Sequence, residues 1–524
     1  MCDLRPLVLP DQRPFSAFFP MHALTLKNRY SATWPAVIYL LIAVAVGLLL
    51  ARLPVVWGVA LVGGTAVFLL TLIQPLVGLG LVLLLGPFGA LESVLFGWGL
   101  DSGQLLLLFT LAAWLARGLA RRRIVVPRTF LNVPLGLFLL LMALTVPGAL
   151  SVTVGLRELA KWLEIGLLVL LVTDLAQELG GGRYGRYVPW LLAGMLLLSG
   201  VVQAVIGIWQ FGLRGDGPEH FLVLGRFYRA AGTFEQPNPY GGFMNLSVLL
   251  AGGIFLGGLA AVWQKRREAG FSLRAPRVWG PLLLIGAVAV ITGLGLVFSW
   301  SRGAWLGFAA GTAVLLFFWP RRRRWGTAVL LGGGLLFLLG LQLNLIPPSV
   351  TDRLVGFGQD LQFGDVRGVD INDANYAVLE RLAHWQAALD MAREHLWWGV
   401  GFGNYEPAYA SYALVNWPDA LGHAHNYYIN LLAEVGVIGL LAYLGFWLVV
   451  VWQTWRLLDV LEGAERGLAL GLLAVWVALA VHHLVDKLYV NNIYVHLGVM
   501  FGLLAVLRWQ ADGRAKVQNS VVEA

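Results

Sequence analysis

A pair of histidines, a few arginines and a Pro-Asn-Pro turn carry the chemistry of which this sequence is capable. His423 and His425 stand two residues apart, followed by Asn426, where a polar stretch meets a long apolar run. A histidine takes and gives a proton near neutral pH, so this pair offers a base. It also invites a metal reading. Zinc wants a third and a fourth ligand, none stands at a diagnostic spacing and no HExxH occurs, so no metal is expected. Arg226 and Arg229 precede Gln236-Pro237-Asn238-Pro239. Two arginines beside a proline-fixed helix entry suggest an anion site, and Asn238 can cap the helix or bind a ligand. Arg302 sits in "SWSRGAWLGF", in a turn of two or three residues between apolar runs. His482 and Asp486 are spaced one helical turn apart, so the carboxylate can orient a histidine or pair with an arginine. Arg157, Lys161 and Glu164 share one helical stripe and read as self-neutralising interfacial pairs.

Guanidinium groups bind phosphate bidentately and keep their charge, and a histidine lone pair can deprotonate a hydroxyl. A lipid-linked diphosphate sugar needs both, because its departing diphosphate must be neutralised and the attacking hydroxyl needs a base.

The elements that must position these residues are membrane helices. Of 524 residues, 58% are hydrophobic and 13% charged, with a mean hydropathy of +0.74. Soluble domains carry about 25% charged residues, so an ordinary cytosolic enzyme is excluded, as is a disordered chain. The apolar residues come in blocks of about 20, the length that crosses hydrocarbon as a helix, and alternating strands of an outer-membrane barrel are absent. Cys2 is the single cysteine, which excludes a disulfide framework. Residues 1–33 form a polar segment without the pattern of a cleavable signal peptide. The net charge of +8 lies in short loops and reads as topology, so nucleic acid is not an expected partner.

Fourteen spans are expected, near 34–51, 54–73, 76–96, 104–118, 130–150, 157–176, 187–212, 241–263, 278–299, 303–320, 326–345, 426–453, 467–486 and 494–510. The expectation is an all-α polytopic membrane protein of about 12–14 transmembrane helices with a long, partly helical external loop. Its integral domain covers 34–510, with the loop at about 346–424, a cytoplasmic segment at 1–33 and a cytoplasmic tail at 511–524. Basic clusters at 121–128, 265–277, 321–324 and 508–516 all fall on one side, the cytoplasmic one by the positive-inside rule. Arg302 then lies on the outer side, against that rule. The loop holds ten acidic residues against four arginines, which suits the outer face. Within it 374–398 reads as an amphipathic helix, with Asn372 or Asp373 as N-cap, Leu379, Leu382 and Leu389 on one stripe, and Gly399 as the stop.

At these residues the chain resembles the O-antigen ligase/O-antigen polymerase family of bacterial membrane glycosyltransferases. "RAAGTFEQPNPYGGF" is similar to the family's Gly-Thr-Phe…Pro-Asn segment, "FSWSRGAWLGF" to its Ser-Arg-Gly turn, and "HLWWGVGFGNY" to its Gly-x-Gly-x-Gly-Asn segment. The most specific match runs His425, Asn426, nine residues, Gly436, two residues, Gly439. The resemblance implies a GT-C-like fold and metal-independent, inverting transfer without a cofactor. The donor would be an undecaprenyl-diphosphate-linked glycan. The acceptor would be a lipid A-core, glycan or protein hydroxyl, at the periplasmic face of the bacterial inner membrane. It implies His425 as base and Arg229 and Arg302 as diphosphate binders, with Arg226 in support. Asn238, His423, Asn426, Asp486 and His482 would stand around the substrate. Two departures stand out. The span count exceeds the family's usual one, and Leu396-Trp397-Trp398 stands where a proline is common. The competing reading is a transporter of a small anion such as bicarbonate. Against it, the polar groups gather at one face rather than at the midplane, and no halves repeat.

Overall fold

The computed structural model describes residues 33–97, 99–123, 126–180, 185–266, 276–359, 365–372 and 375–523. Among them, the chain is an all-α polytopic membrane protein. In order, its helices are α1 (Thr33–Arg52), α2 (Val55–Ile73), α3 (Pro75–Leu85), α4 (Gly89–Phe96), α5 (Ser102–Ala120), α6 (Asn132–Thr145), α7 (Val152–Gly180), α8 (Val188–Gly212) and α9 (Pro237–Lys265). There follow α10 (Pro276–Phe298), α11 (Arg302–Phe318), α12 (Arg323–Gln342), α13 (Pro348–Gln359), α14 (Tyr376–Glu394), α15 (Tyr405–Tyr409), α16 (Tyr427–Val460), α17 (Gly463–His482) and α18 (Ile493–Glu523). One small hairpin, β1 (Leu222–Val223) with β2 (Phe227–Tyr228), precedes α9.

Each of the fourteen expected spans coincides with a helix. Ten helical stretches are long and apolar enough to cross a membrane by length and composition, and α1, α6 and α11 contain shorter apolar helices. The remaining span, α7, is long but polar at its start, where Arg157, Glu158, Lys161 and Glu164 fall. Two boundaries move. α17 stops at His482, four residues before the expected end, and α18 runs on through the expected tail.

Residues 1–66 and 67–524 form two compact units. Of the first, the described part is α1 and the start of α2, whose apolar side chains are largely exposed, as lipid-facing helices require. In the second, α9, α11 and α17 pack on one another, and α18 packs on α7, around one large apolar core. The segment between α12 and α16 builds a small core of its own, in which Val378, Leu379, Leu382 and Met391 of α14 meet Tyr405, Tyr409 and Trp417. The helix in this loop begins later than expected. Asn375 precedes it, Asn372 instead exchanges hydrogen bonds with Asn375, and Asp373 lies outside the described residues. Leu389 is only half-buried.

Gly399 does not stop α14, which ends at Glu394. It serves a different contact. α16 breaks at Gly436 (φ 64°, ψ −169°), in backbone space that only glycine enters readily. The carbonyls freed there accept from the loop: Val400 N–H donates to Ala433 O at 2.9 Å and Gly401 N–H to Glu434 O at 2.8 Å. Val437 N–H donates back to Leu396 O at 2.8 Å. A Cβ on Gly399 would meet the Glu434 carbonyl carbon, and one on Gly436 the Trp397 carbonyl. The Gly-rich segment and the glycine of the His-Asn signature are therefore two halves of one junction, which ties the loop to α16.

Candidate functional site

Three helices, α9, α11 and α16, begin at the same end of the bundle and are entered in the same way. Two residues before each first helical residue stands a non-glycine with left-handed backbone: Glu235 (φ 62°), Trp300 (φ 52°) and His425 (φ 51°). An extended N-cap follows: Gln236, Ser301 and Asn426. Left-handed backbone costs about 1 kcal/mol or more at such residues, so each must be held by its surroundings. At His425 the holders are visible. Its N–H donates to His423 Nδ1 at 3.0 Å, Asn426 Oδ1 accepts from Tyr428 and Ile429, and Tyr427 N–H donates to His483 O at 2.8 Å.

Beside the starts of α9 and α11 lies a cavity of about 200 Å³. Four arginines line it: Arg229, Arg302, Arg353 and Arg381. Asn238, His482 and Asp486 complete its polar wall, with Leu306 and Val485 on the apolar side. Helix N-termini present unpaired N–H groups and positive potential, and here they reinforce the guanidinium groups. Arg229 Nε donates to Ser299 O at 3.0 Å and its Nη2 to Asn238 Oδ1 at 3.2 Å. Arg353 Nε donates to the next carbonyl, Trp300 O, at 3.2 Å. Burial first, then the neighbouring Arg353, Arg381 and Arg302, push Arg229 down to about 9. Burial first, then Arg302 and Arg381, push Arg353 down to about 10. Like charges held this close call for an anion between them.

Behind Asp486 stand the histidines. His423 Nε2 lies 3.5 Å from Asp486 Oδ1, and the His423 and His425 rings are 4.5 Å apart. His425 itself does not line the cavity, and its Nε2 is buried without a hydrogen-bond partner. Burial, then His423 and Arg381, hold His425 well below the usual histidine range, and burial above all, ahead of Lys487, pushes His423 down to about 3. Burial pushes Asp486 the other way, up to about 6. Tertiary structure does supply the third metal-type ligand missing from the sequence pattern, since donor atoms of His423, His425 and Asp486 lie within 4.8 Å of one another. The lone pairs argue against that use. His423 Nδ1 accepts the His425 peptide N–H, which assigns the ring proton to Nε2, facing Asp486. A neutral imidazole has one lone pair, and here the peptide takes it. His423 thus accepts the His425 peptide N–H and turns its Nε2 towards Asp486, 3.5 Å away.

Residues 287–444, which contain Arg302, Arg353, Arg381, His425 and the Gly436 junction, match the family model described as O-antigen ligase. This stretch belongs to the O-antigen ligase family. No curated protein matches the chain. The O-antigen ligase match supports a membrane glycosyltransferase of the ligase or polymerase kind, acting on lipid-linked glycan and acceptor substrates, in a multi-pass bacterial membrane protein. It gives no support to anion transport.

Of the residues singled out in the sequence, Arg229, Arg302, Asn238, His482 and Asp486 meet at this cavity, with His423 and His425 behind it. Arg302 is not in a turn. It is the first residue of α11, with Ser301 capping from outside. Arg226 does not join them: it lies exposed between β1 and β2, its guanidinium 5.3 Å from the Phe227 ring. Asn426 is not in the cavity wall, and its Oδ1 caps α16. Asn238 Oδ1 is already shared by Arg229 and Ser301 Oγ, which makes it a brace. Asp486 lies beyond the end of α17, so it meets the cavity through a loop and not through helical periodicity with His482. Both ring nitrogens of His482, a residue 1% exposed, lack partners. Sequence reasoning missed Arg353 and Arg381, although the positive-inside argument that picked Arg302 applies equally to arginines in an acidic external loop. It also missed His384, whose Nδ1 is 2.8 Å from Tyr405 Oη and whose ring is 5.4 Å from that of His425.

Beneath the site lies a buried charge network. Lys487 Nζ is 3.0 Å from Glu158 Oε1, and Lys161 Nζ is 2.7 Å from Glu158 Oε2. Glu158, one step round from the stripe of Arg157, Lys161 and Glu164, is thus the hub of a tertiary ion-pair network. The network anchors the loop that carries Asp486 to α7.

Proposed function

We propose that the chain is a metal-independent, inverting glycosyltransferase that moves a glycan from an undecaprenyl-diphosphate carrier to an acceptor hydroxyl at the periplasmic face of the bacterial inner membrane. The observation that carries this reading is the cavity with four arginines at two helix N-termini. It lies at the opposite end of α11 from Arg321–Arg324, the basic cluster that the positive-inside rule assigns to the cytoplasm. The site thus suits a donor whose diphosphate sits at the outer membrane surface and whose lipid runs along the apolar wall.

In the proposed step Arg229 and Arg302 hold the diphosphate. His425 Nε2 takes the acceptor proton, the acceptor oxygen bonds to the anomeric carbon, and the bond from that carbon to the phosphate oxygen breaks. A single displacement of this kind inverts the anomeric centre. His423, which accepts the His425 peptide N–H and stands 3.5 Å from Asp486, orients the base, and the Asp486 carboxylate favours the charge it gains. After burial and His423, the guanidinium of Arg381 is a further cause of the low basicity of His425. A bound diphosphate offsets that part of the shift.

The test is purified protein with an undecaprenyl-diphosphate-linked glycan, followed for release of undecaprenyl diphosphate, beside His425→Ala. Release by the wild type alone supports the reading, and the mass of the glycan product distinguishes chain extension from transfer to a lipid A-core or protein acceptor. Release at equal rates from both proteins would remove His425 from the mechanism.

A further inference from the structure

The cavity carries more positive charge than the arriving donor needs. Four guanidinium groups less the Asp486 carboxylate leave three positive charges on its wall. A diphosphate esterified at both ends, by lipid and by sugar, carries about two negative charges, one on each phosphoryl group. Once the sugar leaves, the freed terminal phosphate ionises again with a pKa of about 6, so the product carries close to three at neutral pH. The lining therefore matches the product, and the charge distribution at bond breaking, better than the donor.

The four arginines also come from two sources. Arg302 opens a membrane helix, and Arg229 stands just before another, braced by Asn238 and by the carbonyl that ends α10. Arg353 and Arg381 sit on α13 and α14, in the segment between α12 and α16. Arg353 is seated beside Arg229, because the two donate to consecutive carbonyls, Trp300 O and Ser299 O. Among the described residues neither Arg353 nor Arg381 has a carboxylate within ion-pair distance, though Arg381 acts at longer range on Asp486 and Glu380.

We propose that Arg353 and Arg381 bind the third charge, the one that appears on the diphosphate as the glycosidic bond breaks, so that the external loop distinguishes the leaving diphosphate monoester from the donor diester. The inference rests on the donor reading above. In the step, the acceptor proton goes to His425, the new bond joins the acceptor oxygen to the anomeric carbon, and the electron pair of the broken bond stays on the terminal phosphate oxygen. That oxygen is the atom the loop arginines meet. An interaction made only as charge develops lowers the barrier, whereas one made equally with donor and transition state does not. The same arrangement makes the product the tighter ligand. The loop, joined to α16 at Gly436, must then loosen before the spent carrier leaves.

Binding reads this without turnover. Two probes are titrated into the full-length protein in detergent: undecaprenyl diphosphate, with one free end, and a dialkyl diphosphate, esterified at both. The wild type should bind the monoester at least about tenfold more tightly. Arg353→Gln and Arg381→Gln should weaken the monoester more than the diester and bring the two affinities within about twofold. Arg353→Lys should recover part of the preference, and Arg229→Gln should weaken both probes together. A preference that survives in both loop variants overturns the proposal, as does equal loss of monoester and diester binding. Binding of neither probe by the wild type would instead remove the donor reading, and with it this one.

Discussion

Gly436→Ala tests the junction on which the external loop depends. Alanine at φ 64°, ψ −169° is strained by about 1–3 kcal/mol, and its Cβ would collide with the Trp397 carbonyl. Relief of that collision separates Trp397 from α16 and breaks the three backbone hydrogen bonds at Val400, Gly401 and Val437, each worth about 0.5–1.5 kcal/mol net. The expected weakening is therefore about 2.5–7.5 kcal/mol, set against a junction that forms locally and not against the whole bundle. At about 1.4 kcal/mol per decade, amide exchange at Val400 and Gly401 should quicken by about fiftyfold or more. The α9 and α17 amides should be unchanged. Transfer should fall with the loop, because Arg353, Arg381 and the His425 entry turn all hang on it. Gly445→Ala in the same helix is the control: nothing lies within 4 Å of the point its Cβ would occupy, so it should stabilise α16 by a few tenths to about 1 kcal/mol. Exchange at Val400 and Gly401 within about threefold of wild type in folded Gly436→Ala protein would refute the argument from glycine geometry.

Arg302→Ala should abolish transfer with near-normal folding, and Arg302→Lys should remain poor, because a point charge replaces a bidentate fork; initial rates with full activity in either would sink the diphosphate role. Of His423, His425 and Asp486, only Asp486 titrates near neutrality, at about 6, and burial is the cause. Only the ionised carboxylate favours positive charge on the histidines beside it, so kcat/KM should fall as pH drops through about 6, and Asp486→Asn should be slow at every pH without that acid limb. Lys487→Met leaves buried Glu158 with Lys161 alone and should cost about 3 kcal/mol; the double change with Glu158→Met should regain part of it in thermal unfolding, and an equal loss in both would deny the coupling. EDTA should leave transfer intact, since the His423 lone pair is already taken by a peptide N–H; inhibition reversed by zinc would overturn that assignment.

What the sequence determined by itself is what composition and short-range chemistry can carry. Blocks of apolar residues of membrane-spanning length specify helices wherever lipid forbids unsatisfied backbone, which is why all fourteen stretches are helical. Prolines and small polar caps mark the helix entries at Pro237 and Ser301. The His425-Asn426…Gly436 spacing is written along the chain, and so is the identity of Arg302 as a cation out of place. Tertiary structure decided everything that depends on which ends meet. Arg353 and Arg381 look like ordinary loop charges until α13 and α14 bring them to the wall that Arg229 and Arg302 share. Arg226, three residues from Arg229, is carried away because the hairpin turns there. Asp486 reaches His423 across more than sixty residues, and Lys487 beside it turns to Glu158 on α7. Periodicity cannot foresee such pairs, because electrostatic and hydrogen-bond energies depend on through-space distance, and that distance is set by how the helices pack.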